Sequence, residues 1–308
     1  MFSSAPRSRS RAIVAASTLV VAGLLASGCA STKSSAAAPS AGGASATQAD
    51  PKSLVPAALK ASGKINIATD ATYAPNEYVD TDGKTIIGMD IDLGNEVAKR
   101  LGLTATFQNV TFDAIIPGMV ANKYDMSLSS FTDTKAREGA VDFVTYLNAG
   151  TSMMVKKGNP ETLSLADLSL CGKTVSVEKG TTQESTDVPA LSKKCTAAGK
   201  PAVKVDSQDD QNKVNESLDT GRSDAYLADS PVAGYAAKQS ADKFQLAGDA
   251  TSVQPYGIAI NKSQAGLKDA VLAAMKAMVA DGTYKTIITK WGEESGAITT
   301  PMINGALS

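Results

Sequence analysis

From Lys64 to Gly292, short β-branched runs alternate with stretches of helical periodicity, and the alternation runs through twice. Few folds satisfy that pattern: each strand needs cover from the helix that follows it, which is α/β architecture. KINIAT (Lys64–Thr69) reads as a buried strand. DIDLGNEVAKRL (Asp90–Leu101) reads as a helix, acidic in its first turn and basic at Lys99 and Arg100, and Gly102 stops it. LTATFQ (Leu103–Gln108) and YDMSLS (Tyr124–Ser129) are further strands, with FDAIIPGMVAN (Phe112–Asn122) between them as a helical turn ended by Pro-Gly. The second unit follows TSMMVK (Thr151–Lys156). Its expected strands are Lys173–Glu178, Ala202–Val205 and Ser223–Asp229, and its helices follow GTTQE (Gly180–Glu184) and span Gln208–Thr220 and Pro231–Lys238. A strand at Gly257–Ile260 precedes an amphipathic helix, Gln264–Asp281, whose stripe of Leu267, Val271, Met275, Met278 and Val279 is core. Two such units without a long linker imply two lobes in contact, with the ligand site in the gap.

Composition narrows the chemistry. The 308 residues are 43% hydrophobic and 20% charged, enough for one large or two medium domains. Lys and Arg are scattered and aromatics are only 5%, which gives no nucleic-acid footprint. The chain has no histidine. That removes Ser-His-Asp and Cys-His catalysis, His-based metal sites and imidazole switching together. No metal or cofactor is expected, and carboxylates, Lys, Tyr and Cys remain as the catalytic titrators.

Residues 1–28 read as a targeting segment: Arg7, Arg9 and Arg11 precede an apolar run, Ala12–Ala26, that is too short and small-residue-rich for a membrane span. The run ends in LLASGC (Leu24–Cys29), which resembles a bacterial lipobox with Cys29 as the lipidated N-terminus; the alternative is a plain secretory signal cut near Ala30. Without that segment the chain has 27 basic and 31 acidic residues, a net charge of −4. Residues 30–50, almost all Ala, Ser, Gly and Thr, cannot bury enough apolar surface to order themselves and read as a spacer. Folded structure is expected from near Ser62. Cys171 and Cys195 are the remaining thiols, and in an exported chain a pair reads as a disulfide, the alternative being two separate buried thiols.

The stretch SSFTDTKAR (Ser129–Arg137) ends a strand, turns through hydroxyl residues and enters a helix capped by Thr134 or Asp133. Ser129, Ser130 and Thr132 donate and accept there, and Arg137 presents a planar fork suited to a carboxylate. GTTQ (Gly180–Gln183) occupies the matching place in the second unit, a helix start with anion-binding N–H groups. Asp229 ends a strand where a carboxylate meets water or an ammonium group, and Asp70 opens a loop with Tyr73 available as a flat apolar wall. Together these are the complement of an α-amino acid.

With those motifs, TDATYAP, GMDIDL, FDAIIP and DGTYKTIITKWG in order, the sequence resembles the solute-binding proteins of bacterial ABC importers for polar amino acids, solute-binding family 3. The resemblance implies a two-lobed clamshell of the type II periplasmic-binding-protein kind, with two hinge crossings near Asn148–Thr151 and Thr251–Pro255. Lobe 1 would comprise 62–149 plus 254–297, lobe 2 150–253, with a linker at 29–61 and a tail at 298–308. Arg137 would grip the ligand α-carboxylate with Thr132 and the Thr181–Thr182 turn, and Asp229 and Ser130 the α-ammonium. Tyr73 and Phe112 would sandwich the side chain, and Asp70 and Ser129 would face its polar end. Asn76 departs from the Phe usual after Ala-Pro and is expected to add a hydrogen-bonding group to that pocket or to free space for a longer polar ligand. The implied partners are a free amino acid, the permease subunits of an ABC importer and, through lipid on Cys29, the outer face of the cell membrane; a monomer is expected. Two alternatives on this scaffold are a cyclohexadienyl-dehydratase-like enzyme, using Glu178 or Lys179, and a tethered amino-acid sensor for a signalling receptor.

Overall fold

The computed structural model describes residues 50–307. The leader, Cys29 and the first part of the spacer lie outside the described residues. Nine strands form one mixed sheet: β1 (Lys64–Thr69), β2 (Thr104–Asn109), β3 (Met126–Ser127), β4 (Asp142–Lys156), β5 (Thr174–Glu178), β6 (Lys204–Gln208), β7 (Ala225–Asp229), β8 (Phe244–Leu246) and β9 (Thr251–Ile260). Their order is β2-β1-β3-β9-β4-β7-β5-β6, with β8 paired to β4. The ends of this ribbon are parallel (β1 with β2 and β3; β5 with β6 and β7), as expected where helices cross over between strands. Its middle is antiparallel, because β4 and β9 run past one another.

Those two strands are the crossings. Thr151 faces Thr251, the register slips, and Gln254, Pro255 and Tyr256 then face Ala149, Asn148 and Leu147. On one side of this ribbon an apolar core draws on residues between Val55 and Ala149 and between Tyr256 and Ile288. On the other side a separate core draws on Met153 to Leu227. The helix Leu267–Ala280 buries Leu267, Val271, Met275 and Met278 of the expected stripe in the first core, with Val279 packed against it.

Several elements differ from the sequence reading, each for a local reason. Folded structure starts before Ser62: Asp50 caps the helix Pro51–Leu54, a second helix covers Ala57–Ser62, and Val55 and Leu59 are buried in the first core. Part of the expected spacer is therefore anchored by apolar side chains. Phe112–Val120 is one continuous helix despite Pro117, whose lost hydrogen bond is offset by burial of Phe112, Ile115 and Met119. The strand expected at Ala202–Val205 runs instead over Lys204–Gln208, the residues that face Thr174–Glu178. β3 shortens to Met126–Ser127, the residues that face Ile67 and Ala68. GTTQE enters its helix through a π-turn, Gln183–Asp187, before α-helix resumes at Val188. Cys171 and Cys195 form a disulfide.

Candidate functional site

The site gathers where the C-terminal ends of β1, β3, β5 and β7 meet the crossings, the usual place for a ligand on open α/β sheets. Thr134, not Asp133, caps the short helix Lys135–Glu138, accepting from the Arg137 N–H at 3.2 Å. Asp133 is occupied elsewhere: its Oδ2 accepts from Gly305 N–H at 2.7 Å, so the C-terminal segment braces the turn. The cap aims Arg137 back over the turn. Nη1 donates to Thr132 O (2.8 Å) and Nη2 reaches across to Gly180 O (2.9 Å). The guanidinium carbon lies 5.4 Å from the Phe112 ring centre and 5.1 Å from that of Phe131, and those two rings stack at 4.3 Å. Burial lowers the Arg137 pKa to about 10, with Asp229 opposing, so the side chain stays cationic at neutral pH.

Asp229 lies opposite, 9% exposed. Gln183 Nε2 donates to Oδ1 at 2.8 Å and Tyr256 OH to Oδ2 at 2.6 Å. Burial raises its carboxyl to about 6, against the pull of those two donors and of Arg137. Each oxygen keeps a second lone pair, so an ammonium can join the two donors already there. Beside Asp229 a cavity of about 190 Å³ is lined by Thr132, Thr151, Thr182, Asp187 and Gln254, among others.

Of the expected residues, Thr132, Thr182 and Asp229 line this cavity, and the others, Arg137 included, are not in its wall. Asp70 accepts from Thr72 Oγ1 and Phe112 N–H, both at 2.8 Å, and burial raises its carboxyl to about 6. Ser129 Oγ is used internally, accepting Asp70 N–H at 2.8 Å. Tyr73 is buried with its ring centre 5.9 Å from that of Phe112, and its hydroxyl has no hydrogen-bond partner. Thr181 ties down the second turn, donating to Glu178 O at 2.6 Å and accepting from Glu184 N–H.

Asn76 is 0% exposed, and its Nδ2 donates to Ser130 Oγ at 2.9 Å. Its hydrogen-bonding group thus acts on Ser130. Ser130 has φ +50°, a left-handed conformation that costs a non-glycine residue about 1 kcal/mol or more. Three bonds fix it there: Asn76 to its Oγ, its Oγ to Glu77 Oε2 (3.3 Å), and its N–H to Asp90 Oδ2 (3.0 Å). Glu77 and Asp90 are both fully buried, and burial raises both carboxyls. Gly88 makes the arrangement possible: a Cβ there would stand 2.1 Å from Asn76 O, at φ +138°.

Gln183, Tyr256, Thr151 and Glu178 belong to the neighbourhood and were not singled out as ligand groups from sequence. Gln183 had a signal, since it completes the quoted GTTQ turn. Tyr256 had none, because its closeness to Asp229 arises only when β9 lies along β4.

The profile of bacterial extracellular solute-binding proteins, family 3, matches residues 65–294. The arginine-binding protein ArgT of Corynebacterium glutamicum is 32% identical over 253 residues, 82% of each chain. The lysine/arginine/ornithine-binding periplasmic protein of Escherichia coli K12 is 34% identical over 235 residues, 74% of this chain and 86% of its own. Among solved structures, an ancestral arginine-binding protein bound to arginine superposes with a TM-score of 0.68 at 36% identity, covering 74% of this chain and 98% of its own.

Proposed function

The chain belongs to family 3 of the bacterial extracellular solute-binding proteins, and from that premise we propose that it captures a free amino acid between its lobes and hands it to an ABC importer. The observation that carries this reading is the opposed pair: an Arg137 fork held on one side by Thr132 O and on the other by Gly180 O, facing an Asp229 carboxylate. A ligand α-carboxylate takes Arg137 with help from Thr132 and the Thr181–Thr182 turn. The α-ammonium takes Asp229. Ser130 supports the ammonium, Tyr73 and Phe112 flank the side chain, and Asp70, ordered by Ser129, faces its far end. The named ligands of the relatives above are amino acids, which supports the same assignment.

We place lobe 1 at 62–149 plus 254–297 and lobe 2 at 150–253, in accord with the two separate cores on either side of β4 and β9. Ligand that touches both lobes favours the closed arrangement, because only that arrangement provides all the contacts. Lipid on Cys29 would hold the protein at the outer membrane face, where a permease meets the closed form. The dehydratase reading is disfavoured by Asp229, a buried carboxyl beside the cavity that matches a ligand ammonium and is a poor host for a cyclic diacid. A thermal-shift panel of the standard amino acids plus ornithine, citrulline and cystine tests the proposal. Ligand at about 100 times its Kd stabilises by about 2.7 kcal/mol, and a flat panel overturns the amino-acid reading.

A further inference from the structure

The segment from Pro301 to Leu307 lies beyond the residues that the family profile matches, yet it is bonded into the fold around the anchor. Ile303 pairs antiparallel with Val144 of β4. Thr145 N–H donates to Met302 O at 2.9 Å, and Asn304 N–H donates to Phe143 O at 3.0 Å. Past Asn304, three consecutive N–H groups turn to the residues around Arg137. Gly305 donates to Asp133 Oδ2 (2.7 Å), Ala306 to Glu138 Oε1 (3.3 Å) and Leu307 to Gln254 Oε1 (3.3 Å). Asp133 and Glu138 bracket the short helix that carries Arg137, and Gln254 lines the cavity. Burial contributes little to holding this part of the strap, because Leu307 is 74% exposed and Gly305 and Ala306 have next to no side chain. The polar bonds therefore set its place. Gly305 is needed for the close approach, since a Cβ there would stand 2.8 Å from Thr145 Cγ2.

We infer that residues 305–307 are a positioning element for the carboxylate anchor: they fix the turn Thr132–Thr134 and, through it, the direction of the Arg137 fork. This rests on the amino-acid reading above. The link is Asp133, whose side chain is 0% exposed, with Oδ2 on the Gly305 N–H and Oδ1 without a partner. Take Gly305 away and a buried carboxylate is left with no hydrogen-bond donor, a state relieved by rotating Asp133 towards water. Its neighbours on both sides then move. Thr132 O holds Arg137 Nη1, and Thr134 Oγ1 caps the Arg137 N–H. The fork loses its aim while the apolar cores, which use none of residues 304–307, stay intact.

Calorimetry beside ligand-free melting curves tests this, with L-arginine as the probe, replaced by the amino acid of largest thermal shift if L-arginine gives no heat. The proteins are the wild type, a chain lacking residues 305–308, full-length Gly305→Ala and Asp133→Asn, and Arg137→Ala alone and combined with each strap variant. The deletion and Gly305→Ala should each weaken binding about 5- to 30-fold, with melting lowered by about 5 °C or less. In the Arg137→Ala background the same changes should cost about twofold or less, because the group they aim is already gone. Asp133→Asn still accepts from Gly305 and should bind within about threefold of wild type. A deletion protein within about twofold of wild type overturns the inference. So does an equal loss with and without Arg137, which would make the strap a general support, and so does an Asp133→Asn loss as large as that of the deletion. If the shortened chain does not melt cooperatively, Gly305→Ala decides by the same limits. Unaffected binding in the variants sinks this inference alone, whereas a wild type that gives no heat with any amino acid sinks the amino-acid reading as well.

Discussion

Removing Arg137 probes the carboxylate anchor most directly. In the structure its two terminal nitrogens hold Thr132 O at 2.8 Å and Gly180 O at 2.9 Å. On the proposed reading a ligand carboxylate would displace Gly180 O and leave the Thr132 bond in place, exchanging one charged hydrogen bond and adding one more. A hydrogen bond to a charged group is worth about 1.5–3 kcal/mol net, and without the fork a carboxylate is left unpaired in a desolvated cleft. Arg137→Ala should therefore cost about 2–4 kcal/mol, or about 30- to 1000-fold in Kd. Arg137→Lys keeps the charge but not the planar fork and should fall between the two. The assay is calorimetry with the amino acid that gives the largest thermal shift on the wild type, run beside melting curves without ligand. Arg137 is only half-buried, so ligand-free melting should drop by a few degrees at most. A Kd within twofold of wild type for Arg137→Ala refutes the anchor; wild-type binding by Arg137→Lys shows that charge alone suffices and ends the fork argument.

Tyr256→Phe deletes the 2.6 Å donor to Asp229 and should weaken ligand by about 1–2 kcal/mol at pH 7; calorimetry showing no change would exclude Asp229 from the ammonium site. Asp229 also links binding to pH. Its folded carboxyl, raised to about 6 by burial, holds a proton that the unfolded chain releases near 3.8, so its stabilising contribution is full below 3.8 and lost as pH rises through 6. Between pH 7 and 5 the ligand-free protein should gain about 1 kcal/mol from this group while ligand affinity falls, and a melting temperature and Kd that move the other way would contradict the assignment. Gly88→Ala should cost about 3 kcal/mol or more by urea unfolding, since its Cβ would stand 2.1 Å from Asn76 O; a loss under about 1 kcal/mol would mean that the loop yields easily. Reducing the Cys171–Cys195 bond, which closes a separation of 24 residues, should cost about 3 kcal/mol in the same assay, and an unchanged midpoint would show that the loop is held by packing alone.

The positions of Arg137, Thr182 and Asp229 at element ends were legible because their signals are local. Arg137 sits one turn after a strand and a hydroxyl-rich cap, Thr182 opens a helix after a glycine turn, and Asp229 ends a strand, so each position follows from a few neighbouring residues. Tyr256 was not legible in that way. It reaches Asp229 only through the register of β9 on β4. Asn76 was read as lying in the ligand pocket; the structure turns it onto Ser130, a distinction that depends on the left-handed backbone there and on Gly88. The early helices at Pro51–Ser62 were missed for a compositional reason: two apolar anchors, Val55 and Leu59, are too few to form a visible period.

The strand order also sets an assembly sequence. β9 is the last strand of the chain, yet it lies between β3 and β4, near the centre of the sheet. Everything from Met153 to Leu227 can gather its own core before β9 emerges, because that core uses only contiguous chain. The first core cannot close until Tyr256, Ile258 and Ile260 arrive. A chain cut at residue 250 would lack the strand that joins its two halves, and the edges of β3 and β4 would face each other across an empty row of hydrogen bonds. Such a fragment would be a half-finished product open to aggregation, so the first core can close only after residues from Thr251 onward have emerged.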